Sequence, residues 1–394
     1  MTHFSTRIAA VTLAAVSTVA MALLPGAALA ELATPQPPMI AAKAWILMDG
    51  KTGAILTAQN ADERLPPASL TKMMTTYVAD YALHEKRIHM GDMVNVSEKA
   101  WRTGMKEGSR MYIEVGSQVS VEDLFRGIII QSGNDASVAL AEHVAGSEEQ
   151  FVQLMNAQAK RLGMGNTLYM DASGLSDGQF SSARDLALLA RAIIYDFPEN
   201  YRMYSEKEFR YNIGRPQPNR NLLLFRDPTV DGLKTGHTKA AGFCLVASAK
   251  RGDTRLISVV LNTASENARA DESAKLLDWG FRNFETYAPW PAGTTLGETV
   301  VWMGDADKVA IGIDQDIVLT IPRGSHDQLK AAITVQPEIR APLAKGAVVG
   351  TFVIRSGEQV LVEKPLVAMA DVPEGNLFKQ FWHWLKLLFS GLFG

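Results

Sequence analysis

The sequence predicts an α+β fold in which a helical middle is bracketed by strands, followed by a small all-β domain and a C-terminal amphipathic helix. Three observations predict it. Apolar residues recur at helical spacing from Ser69 to Ile194, strand-like runs flank that region on both sides, and short alternating runs punctuated by Gly and Pro fill the chain beyond Pro289. A chain of 394 residues exceeds what one hydrophobic core usually organises, which agrees with more than one domain.

Each element has its own signal. Residues 1–30 carry Arg7 as their only charge, an apolar stretch over 8–24, and Pro25-Gly26 ahead of Ala28-Leu29-Ala30. That is the pattern of a cleavable signal peptide, so the mature chain is expected to begin at Glu31 and to be exported. After a Pro-rich entry, 44–48 reads as a strand, 49–53 as a turn and 54–58 as a returning strand. From Ser69, the residues Leu70, Met73, Met74, Tyr77, Val78 and Tyr81 mark an amphipathic helix. Further helices are predicted from Ser120 through 124–130, over 134–144, over 147–162 ending at Gly163, and over 183–194 ending before Pro198. Strands return at 243–249 and 256–261 around a polar turn at 251–253, and 267–287 resumes helical spacing. The runs 300–303, 317–321, 331–335, 348–354 and 359–363 predict the all-β region. The expected divisions are 31–287, 288–371 and 372–394 after the leader.

Composition narrows the function. Apolar residues at 47% and charged residues at 21% exclude a disordered or fibrous chain. Removing the leader takes one positive charge from a net charge of −3, giving −4, and no long basic run remains, which excludes nucleic acid as a partner. Cys244 is the only cysteine, so an exported chain of this sequence depends on packing rather than an internal disulfide, and Cys244 itself is expected to be buried and inert.

Three short patterns carry chemistry: Ser69-Leu70-Thr71-Lys72, Ser132-Gly133-Asn134 and Lys234-Thr235-Gly236. Residues i and i+3 on one helix are neighbours, which brings the Lys72 amine within reach of the Ser69 hydroxyl. Serine is a weak nucleophile at neutral pH until a base takes its proton, and a lysine desolvated beside other cations has its pKa lowered enough to act as that base. The helix start adds a backbone N–H for an oxyanion. Ser132 and Asn134 fall between two predicted helices, where side chains face a cleft. Lys234 supplies charge, Thr235 a hydroxyl and Gly236 a bare backbone, so an extended substrate can lie along the strand edge. Alone, each pattern is weak. Lys51-Thr52-Gly53 and Ser265-Glu266-Asn267 repeat two of them by chance, and the isolated readings are a helix cap, a loop cap and a turn.

Order and context decide. The stretches from Pro66 through Met74, from Gln131 through Ala136 and from Asp231 through Thr238 resemble those of the low-molecular-mass D-alanyl-D-alanine carboxypeptidases among the penicillin-binding proteins. The middle motif is Ser-Gly-Asn rather than Ser-Asp-Asn, as in that group. The resemblance spans nearly the whole mature chain. It implies a penicillin-binding, serine β-lactamase-like domain, with a helical lobe beside a five-stranded antiparallel sheet, then a small β domain and a membrane-binding helix. It also implies roles: Ser69 as nucleophile, Lys72 as base, Ser132 and Lys234 as proton-handling neighbours, and Asn134 as donor to the substrate amide. The backbone N–H groups of Ser69 and His237 would form the oxyanion hole, with Thr235 and Arg220 on the substrate carboxylate. The implied substrates are peptidoglycan stem peptides, with β-lactams as inhibitors and no metal or cofactor.

Other readings have less support. A class A β-lactamase needs a carboxylate near the acyl bond to activate water, and no Glu lies between Gln150 and Glu199. His84-Glu85 lacks the second His of a zinc peptidase motif. A non-catalytic wall-binding relative is expected to lose the serine or the lysine, and both are present. The acyl acceptor stays open on sequence chemistry, leaving endopeptidase and transpeptidase as alternatives to carboxypeptidase. Finally, Asn376 is a good N-cap for a tail helix on which Lys379, His383, Lys386 and Ser390 share one face and the rest is apolar or aromatic. That helix is expected to bind a membrane surface through 376–394, with its lysines toward anionic lipid, on the periplasmic face of the inner membrane.

Overall fold

A computed structural model describes residues 35–105 and 108–393. The expected signal segment at 1–30 lies outside the described residues.

Strand β1 (Ala44–Asp49) is buried throughout because both its faces are covered. Trp45 and Leu47 enter one core with Leu245, Ala247, Leu256 and Val260. Ile46 and Met48 enter a second with Val246, Ile257 and Val259, as the period-two alternation of a strand demands. The chain returns as β2 (Ile55–Gln59), and a 3-10 turn, Ala68–Leu70, leads into α1 (Thr71–His84).

Helix α1 departs from the amphipathic expectation. It is buried on almost every side from Thr71 to Asp80, because its polar residues are hydrogen-bonded inside the protein rather than solvated. The Thr75 hydroxyl donates to the Ala172 carbonyl at 2.6 Å, Thr76 meets the Tyr204 hydroxyl at 2.7 Å, and Asp80 accepts from Asn200 at 2.6 Å. The helix is a central post, which fixes whatever its first turn carries.

Around that post stand α2 (Glu98–Met105), between the short paired strands β3 (Met93–Asn95) and β4 (Gln118–Ser120), then α3 (Val121–Ile129), α4 (Asn134–Ala145), α5 (Glu148–Arg161) and α6 (Ala183–Asp196). Ser120, Ser147 and Ser182 cap α3, α5 and α6 by accepting the N–H three residues on; the first two stand where the sequence signals place them, and Ser182 is added by the structure. Short pieces α7 (Pro198–Tyr201), β5 (Glu208–Phe209), β6 (Gln217–Pro218) and α8 (Leu223–Arg226) lead back to the sheet.

Strands β7 (Val230–Thr238), β8 (Gly242–Arg251) and β9 (Thr254–Thr263) complete an antiparallel sheet in the order β2-β1-β9-β8-β7. The helical lobe covers one face and α9 (Glu266–Asn283) the other. The chance Ser265-Glu266-Asn267 match is the start of α9, where Ser265 Oγ accepts from Ala268 N–H at 3.0 Å. Helix α9 ends at Asn283, shorter than the predicted 267–287. Phe284 and Thr286 turn inward on β10 (Phe284–Trp290), where period-two burial replaces helical spacing.

The remaining strands are β11 (Thr295–Val300), β12 (Lys308–Gly312), β13 (Ile317–Pro322), β14 (Leu329–Val335), β15 (Val348–Ser356) and β16 (Gln359–Ala368). They form a five-stranded sheet β11-β12-β16-β15-β14 and the pair β10-β13, packed over Val349, Phe352, Ile354 and Leu366. The predicted strand at 300–303 meets β11 only at its last residue, Val300, and beyond it Trp302 makes an isolated bridge to Arg340. The other chance match, Lys51-Thr52-Gly53, joins the two parts. Buried Asp49 accepts from the N–H groups of Lys51 and Thr52 at 2.8 and 3.0 Å and from the Thr286 hydroxyl at 2.7 Å, while the Thr52 hydroxyl meets that of Thr320 at 2.5 Å.

Helix α10 (Leu377–Phe393) closes the chain. Asn376 caps it, accepting from Lys379 N–H at 2.9 Å. Two residues of its polar face meet the β domain rather than solvent: Lys379 donates to the Asp305 carbonyl at 2.7 Å and pairs with Asp307 at 2.8 Å, and buried His383 accepts from Met303 N–H at 2.8 Å. These groups find fixed partners on the β domain, whereas Leu377, Phe378, Phe381, Trp382, Trp384 and Leu388 are exposed.

Candidate active site

The three sequence patterns converge. Ser69 lies in the 3-10 turn ahead of α1, Ser132 in the loop between α3 and α4, Asn134 on the first turn of α4, and Lys234 on β7. The Lys-Thr-Gly stretch lies in the middle of β7, which starts at Val230.

Lys72 is fully buried and makes three polar contacts: its Nζ lies 3.1 Å from Ser69 Oγ, 2.8 Å from Asn134 Oδ1 and 2.5 Å from the Ser173 carbonyl oxygen. Burial lowers its pKa to about 7; Asp171 and Asp135 oppose the shift and Arg220 adds to it. A neutral amine has two N–H bonds and one lone pair. With Asn134 Oδ1 and the Ser173 carbonyl able only to accept, both N–H bonds are taken and the lone pair is left facing the Ser69 hydroxyl proton.

Lys234 forms the opposite wall. Its Nζ donates to Ser132 Oγ at 2.9 Å and to the Thr235 carbonyl at 3.2 Å. Burial, and then the charges of Lys72, Arg220 and Arg269, push its pKa well below the usual ammonium range. Ser132 has a φ of +61° and Ala68, which precedes the nucleophile candidate, a φ of +48°. Both are left-handed conformations that L-residues rarely adopt, held here by the surrounding packing.

A cleft of about 280 Å³ opens over these groups, lined by Ser69, Gly108, Ser109, Ser132, Arg220, Thr235, Gly236, His237, Glu266 and Arg269. Arg220 reaches its rim and donates to the Ser109 hydroxyl. His237 is exposed and stacks on Phe243 with ring centroids 4.0 Å apart. Gly236 has a tighter constraint than the sequence reading gave it. A Cβ there would lie 2.9 Å from the Pro67 carbonyl and 3.3 Å from Leu70 N, so the bare backbone lets β7 press against the turn that carries Ser69. Cys244 is buried on β8, where burial pushes its thiol up to about 11, in keeping with an inert core residue.

Sequence reasoning missed two buried carboxylates. Asp135 accepts from the N–H groups of Met111 at 2.8 Å, Tyr112 at 2.9 Å and Ile113 at 3.3 Å, pinning the segment that leads from Ser109 against α4. Asp171 ties down the 171–179 loop that supplies the Ser173 carbonyl. Its local signal, Asp-x-Ser-Gly, is that of a side chain capping its own turn. Among the described residues no set of three or more His, Cys, Asp or Glu is grouped as metal ligands would be.

Comparison with known proteins gives two family matches: D-alanyl-D-alanine carboxypeptidase over residues 31–265, and the penicillin-binding protein 5 C-terminal domain over 284–374. The chain is 48% identical over 367 residues to D-alanyl-D-alanine carboxypeptidase DacC of Escherichia coli strain K12, covering 92% of each. Penicillin-binding protein 5 from Haemophilus influenzae is similar in structure, with a TM-score of 0.81 and 46% identity over 86% of this chain and 99% of that one. Penicillin-binding protein D2 of Listeria monocytogenes, solved in an ampicillin-bound form, matches 62% of this chain and 100% of its own with a TM-score of 0.57 and 32% identity.

Proposed function

The chain belongs to the D-alanyl-D-alanine carboxypeptidase family, hydrolases of peptidoglycan stem peptides that work through a serine acyl-enzyme and are inhibited by β-lactams, and within it we propose that Ser69 is the nucleophile and Lys72 its base. The observation that carries this assignment is the arrangement at Lys72 Nζ, with two acceptors and one hydroxyl at 2.5, 2.8 and 3.1 Å around a buried amine.

The reaction then runs as follows. The neutral Lys72 amine takes the Ser69 proton as Oγ adds to the carbonyl of the penultimate D-alanine. The oxyanion forms between the backbone N–H groups of Ser69 and His237, and such donors are worth about 2.7 to 4 kcal/mol each in comparable sites. Asn134 donates through its amide N–H to the substrate backbone while its oxygen holds Lys72. Thr235 and Arg220 take the terminal carboxylate. The proton reaches the leaving D-alanine amine through Ser132, whose hydroxyl Lys234 orients, and the C–N bond breaks. Water then adds to the ester, with Lys72 again accepting a proton, and Ser69 is released. A water acceptor is favoured over an amine by the named activity of the relatives.

Intact-mass measurement after incubation with penicillin and, separately, with a D-alanyl-D-alanine peptide tests nucleophile and reaction together. One penicillin adduct per chain and loss of one D-alanine are expected, and both should vanish in Ser69→Ala. An adduct that persists in that variant refutes the assignment.

We also propose that the enzyme works at the outer face of the inner membrane, exported by the 1–30 segment and held peripherally by α10. No described helix is long and apolar enough to cross a membrane, and α10 exposes two tryptophans, two phenylalanines and two leucines on the side away from the β domain. Such a face suits the interfacial zone of a bilayer. Deleting 376–394 should release a protein that still acylates but no longer cosediments with anionic liposomes; cosedimentation equal to that of the full chain would refute the anchor.

A further inference from the structure

The loop that follows α5 reaches the catalytic lysine through a backbone carbonyl, and that carbonyl has an organiser. Asp171 is buried, and its Oδ1 accepts from Ser173 N–H at 2.7 Å, from Gly174 N–H at 2.5 Å and from the Ser173 hydroxyl at 3.2 Å. Its Oδ2 accepts from Ser176 N–H and from Gln179 Nε2 at 3.4 Å. Five donors thus converge on one carboxylate and fix the path of residues 173–176. Two consequences follow from that path. The Ser173 carbonyl is aimed at Lys72 Nζ at 2.5 Å. Gly174, at φ +90°, lies so close behind the nucleophile turn that a Cβ on it would meet the Ala68 carbonyl oxygen at 1.9 Å.

We propose that Asp171 is a positioning residue for acylation: its carboxylate shapes the 173–176 turn that aims Lys72 and backs Ser69, and its charge faces the lysine. This role differs from that of a water-activating carboxylate, because both oxygens are already engaged by donors of its own turn. The charges around Lys72 come from every side: Asp171 from this loop, Asp135 from α4, Arg220 from the segment before α8, and Lys234 from β7. Of the two anions, Asp171 acts more strongly on the lysine and favours its protonated form. Removing that charge lets the amine stay neutral to lower pH.

The proposal rests on Lys72 as the base, and one experiment separates the two claims. The second-order rate of penicillin acylation is measured against pH for the full-length protein, for Asp171→Asn, and for Asp171→Ala with and without formate, with a thermal melt of each to confirm folding. In Asp171→Asn the plateau is expected to fall about tenfold to a hundredfold, as a loss of positioning does, and the acid limb to move down by about one pH unit. Formate should restore part of the rate of Asp171→Ala, since Asp171 borders a cavity of about 530 Å³ that a small carboxylate can enter. If the unsubstituted protein has no acid limb near neutrality, the assignment of Lys72 itself fails. A normal limb that stays in place in Asp171→Asn, whether or not the plateau falls, overturns the role of Asp171 alone. Variants that do not fold, with or without formate, overturn it too, because the carboxylate would then serve only the fold.

Discussion

Changing pH alone should switch the nucleophile on and off around neutrality. With its pKa lowered to about 7, half of Lys72 is neutral at about pH 7. An ordinary lysine at about 10.4 would be neutral in roughly one molecule in 2500 at that pH. The burial of this amine therefore raises the fraction of competent base by about three orders of magnitude at neutral pH. The sign is fixed, because only the neutral amine can take the Ser69 proton. The acylation rate should reach its plateau above about pH 8 and fall about tenfold for each unit below 7. The assay is stopped-flow acylation by a fluorescent penicillin between about pH 5 and 9, with the adduct at Ser69 confirmed by mass. Lys72→Ala should lose about two to four orders of magnitude on the plateau and show no acid limb, so that its deficit narrows as the pH falls. A rate still climbing about tenfold per unit between about pH 8 and 9 would mean an ordinary ammonium and would refute the reading of the buried base, as would a flat profile.

Other outcomes follow from single sites. Gly236→Ala should lower acylation at least about tenfold and destabilise the fold by about 1 to 3 kcal/mol, because the nearest obstructing atom, the Pro67 carbonyl oxygen, is backbone and cannot swing aside; kinetics and a denaturant melt on one sample check it. Lys234→Ala should weaken recognition and leaving-group protonation, seen as a raised KM and a lowered kcat on a D-alanyl-D-alanine peptide. Asp80 gives a stability prediction. Burial raises its carboxyl to about 8, opposed only by Asn200, so between about pH 4 and 8 the folded state keeps a proton that the unfolded chain releases. Its contribution to stability falls by about 1.4 kcal/mol per pH unit over that window. The melting advantage of Asp80→Asn over the parent should therefore grow from pH 5 to pH 8; a constant difference would rule out a buried protonated Asp80.

What the sequence displays and what it hides divide along physical lines. Ser69 and Lys72 are legible because one helical turn joins them, and the caps at Ser120 and Ser147 because each acts within three residues. The sheet is legible in part: β1 and β2 follow from alternation, and β8 and β9 from a polar turn between apolar runs. Strand β12 escapes because Lys308–Gly312 is short and ends in a glycine. The post-like burial of α1 is hidden, since Thr75, Thr76 and Asp80 look like a solvated face until Ala172, Tyr204 and Asn200 arrive from elsewhere in the chain to satisfy them. Asp171 is hidden for the same reason: its donors are local, but the Lys72 they serve is 99 positions away in sequence. Gly236 is legible as a motif residue, yet its reason, the approach of Pro67, belongs to the packing.

The seam between α10 and the β domain decides how the tail behaves mechanically. A helix joined only through Pro373, Glu374 and Gly375 would be a tether, letting the body swing and the cleft sample any height. With Lys379 and His383 clasped to Asp305, Asp307 and Met303, the roll angle of the helix is instead set by protein contacts. The body above it is braced as well, since Asp49 and Thr52 tie the catalytic sheet to Thr286 and Thr320 of the β domain. With the anchoring proposed for α10, helix, β domain and cleft would stand on a bilayer as one lever of fixed length. The accessible layer of wall would then be set by geometry rather than by diffusion on a leash.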